Sequence, residues 1–195
     1  MSAVLRGLVA SVALTVAACA SSPATRIVLP HPEVASRGAQ TETGITVRLR
    51  RLTLPGYLED YPVVIGRRGN ALVVADKVEW GERLPQGVAR VLREALSQRL
   101  GPSGVLMPGD HRVPDADLTI EFLSLDPVEG VLHLDARWFF SCRASRSGAG
   151  GRTRLEVPIE NESSAAVANA TTGALVRLVD TLAGEVQCDL YTRPE

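Results

Sequence analysis

The sequence predicts an α+β fold: a two-layer sandwich of one mixed or antiparallel sheet of about six strands, with two helices on one face. Three observations predict it. Short segments alternate apolar and polar residues with a period of two. Two longer stretches repeat their apolar residues at helical spacing. Their order, β-β-β-α-β-β-β-α, lets one core bury every stripe. The chain has 195 residues, enough for one domain with a tail. Hydrophobic residues make up 45% of it, which excludes disorder over the whole length.

Ile45-Thr46-Val47-Arg48-Leu49-Arg50 alternates strictly and reads as the first strand, with Ile45, Val47 and Leu49 inward. Leu54-Pro55-Gly56-Tyr57-Leu58 is a turn. Val63 to Arg67 and Ala71 to Val74 form a hairpin across Arg68-Gly69-Asn70, and Trp80 and Leu84 follow on a short connection. Pro85 suits the first turn of a helix. Val88, Leu92, Ala95, Leu96 and Leu100 form its stripe, and Gly101 stops it. After a Pro/Gly-rich loop, Leu118, Ile120 and Phe122 mark a fourth strand. Gly130 to Phe140 is a fifth, with Leu132, Leu134, Ala136 and Trp138 on one face. Ser145 to Gly151 reads as a hairpin tip and Arg152 to Ile159 as a sixth strand. A second helix, about Ser163 to Val186, carries Val167, Thr171, Ala174, Leu178 and Leu182 on its apolar side.

The N-terminus sets the compartment. Arg6 precedes an uncharged apolar run from Leu8 to Ala17. The run is too short for a hydrocarbon core of ~30 Å and has the length of a secretory signal. It ends in Val16-Ala17-Ala18-Cys19, the pattern of a bacterial lipobox. Residues 1–18 are therefore expected to be a lipoprotein signal peptide, with Cys19 the lipidated residue. A plain secretory cleavage with an incidental cysteine is the alternative. Ala20 follows the cysteine where an aspartate would favour inner-membrane retention, so the expected location is the periplasmic face of the outer membrane. Residues 19–43, rich in Ser, Pro, Ala and Thr, read as a lipidated tether. Within them, Ile27-Val28-Leu29-Pro30 is an extended piece suited to joining a sheet. The domain is expected over 44–195.

With Cys19 carrying lipid, Cys142 and Cys188 remain in an oxidising space. A bridge between them would close a loop of about 46 residues and contribute up to about 4 kcal/mol on the chain-entropy model. The reading favours the disulfide over two buried thiols.

A net charge of −1 excludes a general nucleic-acid binder. His31, His111 and His133 are scattered over tether, loop and strand, so no metal site is expected. Asp115 and Asp117 lack a calcium-loop pattern and read as a strand lead-in. There is no nucleophile elbow, and the glycines at 148, 150 and 151 precede a strand rather than a helix. No catalytic residue or cofactor is expected. Arg48, Arg50, Arg51, Arg67 and Arg68 form a cationic set. They read either as the solvated side of a sheet or as a docking patch for an acidic partner or lipid head groups. Trp138-Phe139-Phe140 places aromatics on both faces of one strand, so the outer one needs a cover: tether, loop or neighbouring subunit.

The motifs from Leu54 to Leu100 arrive in a recognisable order: Leu54-Pro55-x-Tyr57-Leu58, Val64-Ile65-x-Arg67, Asn70-x-Leu72, then Trp80, Leu84 and the helix. With the late strand Gly130 to Trp138, the Ala-rich last helix and the lipobox, this pattern resembles the PqiC/YmbA family of ABC-type transport auxiliary lipoproteins. The resemblance implies a non-enzymatic accessory of an MCE-type lipid transport system, with an MCE-domain protein as partner and a ring-shaped homo-oligomer as assembly. Gly66, Gly81 and the Cys142/Cys188 pair depart from the family pattern.

Overall fold

The computed structural model describes residues 23–33, 44–60, 62–144 and 148–186. In chain order these form β1 (Thr25–Ile27), β2 (Val47–Thr53), a 3-10 turn (Gly56–Leu58), β3 (Pro62–Arg68), β4 (Ala71–Trp80), α1 (Leu84–Leu100), β5 (Val105–Leu106), β6 (Ala116–Val128), β7 (Val131–Cys142), β8 (Gly148–Pro158) and α2 (Ser164–Glu185). The class is α+β, as the sequence predicts.

The strands divide between two mixed sheets, where the sequence suggested one. The larger has the order β5-β2-β6-β7-β8 and the smaller β1-β4-β3. Backbone geometry explains the division. The β3–β4 ladder shifts register between Pro62 and Val64 and again between Val64 and Gly66. Lys77 sits at φ 53 within this irregular stretch of β4. Such bulges bend a hairpin and increase its twist. The hairpin therefore leaves the plane of the main sheet and meets β6 through side chains.

Both helices cover one face of the five-stranded sheet. α1 packs on β2 and β5, α2 on β7 and β8, and the helices pack on each other. The inward set on β7 is Leu132, Leu134, Ala136, Trp138, Phe140 and Cys142, all buried. Every residue of the two predicted helical stripes is buried as well. α1 starts with Pro in its first turn and ends at Gly101, φ 86. At the start of α2, the Ser163 hydroxyl accepts a hydrogen bond from the Ala166 amide at 3.1 Å.

In β2 a bulge between Leu49 and Arg51 resets the alternation. It leaves Arg50 and Arg51 both exposed and turns Leu52 toward Ile120 in the ladder. Glu129 (φ 49) and Gly130 (φ 79) join β6 to β7 through two successive left-handed residues. This is the backbone of a tight hairpin turn matched to strand twist.

Candidate functional site

Residues 25–32, which precede Gly44 in the sequence, pack against the folded body. β1 runs parallel to β4, with Thr25 beside Val78 and Ile27 beside Trp80. Beyond it, Leu29 is only 2% exposed. The Arg90 guanidinium donates to the Leu29 carbonyl at 2.9 Å, and the Gln98 amide donates to the Pro32 carbonyl at 3.2 Å. Arg90 is itself held by Glu82 at 2.6 Å. His31 lies 3.1 Å from Glu94 at the surface. Residues 29–32 thus run along α1 from Arg90 toward Gln98. Cys19 lies outside the described residues.

A partly buried polar cluster joins the two sheets. The Tyr57 hydroxyl donates to Asp126 at 2.8 Å. The Arg67 guanidinium is 3.3 Å from the other Asp126 oxygen and 5.6 Å from the Tyr57 ring centroid. Burial, and then the hydrogen bond to Asp126, raise the Tyr57 hydroxyl well above the ordinary tyrosine range. Asp126 is 8% exposed, and Arg67 Nε is buried without a hydrogen-bond partner among the described residues. Sequence reading missed this cluster. Its available signal was Asp126 standing between Leu125 and Pro127 in an otherwise apolar stretch. Next to it, a cavity of about 360 Å³ opens between Ile65, Arg67, Arg68, Glu129, Gly130 and the start of α2.

The cationic set does not form one patch. Arg48, Arg50 and Arg51 lie on β2, Arg67 and Arg68 on β3, in different sheets. Arg48 donates to Asp117 at 2.8 Å, and Arg50 is 3.6 Å from the same carboxylate. Arg51 and Arg68 are exposed and form no ion pair among the described residues. Asp117 is therefore a charge partner for β2 rather than a ligand-binding acid. Asp115 accepts from the Thr46 backbone amide at 2.8 Å and the Thr46 hydroxyl at 2.7 Å, tying the ends of β2 and β6 together.

The sheet face turned away from the helices carries ion pairs along its length. Asp135 accepts from Arg152 at 2.6 Å and from Arg154 at 3.1 Å. The Arg152 hydrogen bond is the main cause that lowers its carboxyl to about 2. Phe139, 50% exposed on this face, stands over Gly148 and Gly150 of β8. On the inner face a Cβ at Gly151 would fall 2.6 Å from Trp138 Cζ2. The glycine-rich stretch is thus a bed for aromatic rings, which leaves the outer aromatic partly covered by its own sheet.

Cys142 closes β7 and is 4% exposed; Cys188 lies outside the described residues. His31 and His133 each face a single glutamate. Among the described residues, no group of three or more His, Cys, Asp or Glu is placed to hold a metal ion. Among them, no helix is long and apolar enough to cross a membrane.

Comparison with known proteins places this architecture. The family model of the ABC-type transport auxiliary lipoprotein component matches residues 28–183. The chain belongs to that family of PqiC/YmbA-type lipoproteins. No curated protein matches it. Among solved structures it is similar to a crystal structure of an uncharacterized protein, with TM-score 0.68 and 15% identity, covering 85% of this chain and 99% of the other. It is also similar to a Xanthomonas campestris protein assigned to the family model DUF330, with TM-score 0.57 and 14% identity, covering 83% of this chain and 91% of the other. At such identities these likenesses establish the fold.

Proposed function

We propose that the mature protein is anchored through acyl chains on Cys19 to the periplasmic face of the outer membrane. There it serves as a non-catalytic accessory subunit of an MCE-type intermembrane lipid transport system, PqiABC-like or ABC-dependent. The observation that carries this reading is the family match over 28–183, which names an auxiliary lipoprotein of a transport system. The lipobox ending at Cys19 supports the anchor. In this reading residues 1–18 are removed as signal peptide, and the partner is an MCE-domain protein. Acyl chains do not cross an aqueous periplasm freely, so a sheltered conduit needs an end piece held at the bilayer. Two or more chains per subunit give stable anchoring, at about 0.8 kcal/mol per buried methylene. A ring of subunits would multiply the anchors.

Two site assignments belong to the proposal. The first is a Cys142–Cys188 disulfide. Its support is that Cys142 is buried at the end of β7, and that lipidation of Cys19 would leave Cys188 as its partner in an oxidising space. Peptide mapping without reductant should recover the linked pair; two free thiols would refute it. The second is docking of an acidic partner or lipid head groups by the cationic set. Arg51 and Arg68, which form no ion pair among the described residues, are its strongest members, because Arg48, Arg50 and Arg67 already neutralise carboxylates.

Affinity recovery of the lipidated protein from detergent-solubilised membranes tests the function. Recovery of an MCE-domain protein supports it. Recovery of outer-membrane assembly machinery alone would favour a structural lipoprotein and contradict it.

A further inference from the structure

Resting on the lipidation reading, we infer that the β3–β4 hairpin is the foot on which the protein meets the bilayer that holds its acyl chains. The argument begins with chain length. Pro23, the first described residue, is only four positions from Cys19, a reach of about 14 Å at full extension. From Thr25 the reach is about 21 Å.

Direction follows from strand pairing. β1 is parallel to β4, and Thr25 lies beside Val78. The leash therefore leaves the fold on the side where β4 begins, toward the Gly69–Asn70 turn. The opposite course of residues 28–32, along α1 toward Gln98, confirms which end of β1 faces outward. From Val78 back to Ala71 is seven residues, about 23 Å if fully extended. The irregular stretch around Lys77 shortens this to about 15–20 Å. The turn thus projects nearly as far as Cys19 can reach. The headgroup layer adds about 5–7 Å on each side of the hydrocarbon core. A lipid seated at Cys19 therefore brings the turn into the headgroups.

The exposed side chains toward the tip of the foot are Arg68, Asn70, Ala71, Val74 (50% exposed), Asp76 and Lys77, the chain's single lysine, and Asp76 offsets one of the two cations. Arg68 and Lys77 suit lipid phosphates, and Val74 suits the interfacial layer. Glu129 and Glu162 line the cavity behind the hairpin, so attraction to anionic lipid is offset. The leash, rather than net charge, imposes the contact. The far end of the molecule is the loop bearing Val113, 64% exposed. β6, 13 residues long, separates it from the Glu129–Gly130 turn by about 40 Å.

The test uses the full acylated chain in vesicles of phosphatidylethanolamine with a minor share of phosphatidylglycerol. A benzophenone amino acid replaces Asn70, Val74 or Val113 in turn, and phospholipid adducts are read by mass spectrometry after irradiation. The expected result is adduct at positions 70 and 74 at least fivefold above that at 113. A Gly-Ser insert of about ten residues after Ser22, adding up to ~35 Å of reach, should cut the adducts severalfold. Intact mass of the same sample reports acylation of Cys19. An unacylated protein overturns the lipidation reading, and the inference with it. An acylated, vesicle-bound protein without adducts at 70 and 74, or with adducts that the insert leaves unchanged, overturns this inference alone.

Discussion

Leu29→Ala is the sharpest probe of how the N-terminal segment is bound. Leu29 is 2% exposed and joins the main core between the small sheet and α1, although it stands within a stretch of tether-like composition. Removing a fully buried leucine side chain to Cβ costs 2–5 kcal/mol, the transfer energy plus the cavity left behind. The site lies near the start of the folded body, where the chain has some freedom to collapse, so about 3 kcal/mol is the working figure. For a domain of this size each kcal/mol shifts Tm by roughly 2–4 °C, which gives a fall of about 6–12 °C. The assay is a thermal melt followed by far-ultraviolet circular dichroism, on the chain beginning at Ala20. Val28→Ala is the control, because Val28 is 54% exposed and its truncation should stay within about 0.5 kcal/mol. If Leu29→Ala melts within a degree of the control, the segment is not part of the core and the leash argument loses its fixed end.

Three further outcomes follow from the same geometry. Gly151→Val should destabilise by about 1–3 kcal/mol in urea titration, because its Cβ falls 2.6 Å from the Trp138 ring; an unchanged midpoint would show that the ring has room to move. Asp126→Ala should cost about 2–4 kcal/mol, since Arg67 loses its partner in a half-buried setting and the Tyr57 hydroxyl loses its acceptor; pairing Asp126→Ala with Arg67→Met should recover part of the loss. Asp135 has a carboxyl lowered to about 2 by Arg152 and Arg154, so its contribution is complete above about pH 4 and disappears as pH falls toward 2. Melts across that range should show a smaller acid loss in Asp135→Asn than in the parent, and parallel curves would contradict the assignment.

What the sequence made legible was periodicity. Val88, Leu92 and Leu96 on α1, and Leu132, Leu134 and Ala136 on β7, sit where a period of 3.6 or two puts them. Three features escaped that signal, each for a physical reason. β6 runs on through Leu125-Asp126-Pro127-Val128, beyond the Leu118, Ile120 and Phe122 alternation that marks it in the sequence. β2 stops pairing at Thr53↔Glu121, so Pro127 stands where one side of β6 is an edge, and its missing donor costs nothing. Asp126 is tolerated there because Tyr57 and Arg67 approach from distant parts of the chain. An extended piece at Ile27 to Pro30 was legible, but not its partner or its start at Thr25: β1 is three residues long, and its place depends on pairing with β4 and on Arg90 and Gln98 of α1, none of them local. The arginines looked like one set because sequence shows residue type and spacing. The separation into two sheets, and the carboxylates that claim most of them, arise only in three dimensions.

The central claim is that a lipid on Cys19 holds this fold at a membrane. Intact mass spectrometry of the protein extracted from membranes tests it most directly. The predicted species begins at Cys19 and carries a diacylglyceryl thioether and an amide-linked acyl chain. A species that begins elsewhere, or one that begins at Cys19 without fatty acid, would contradict the account.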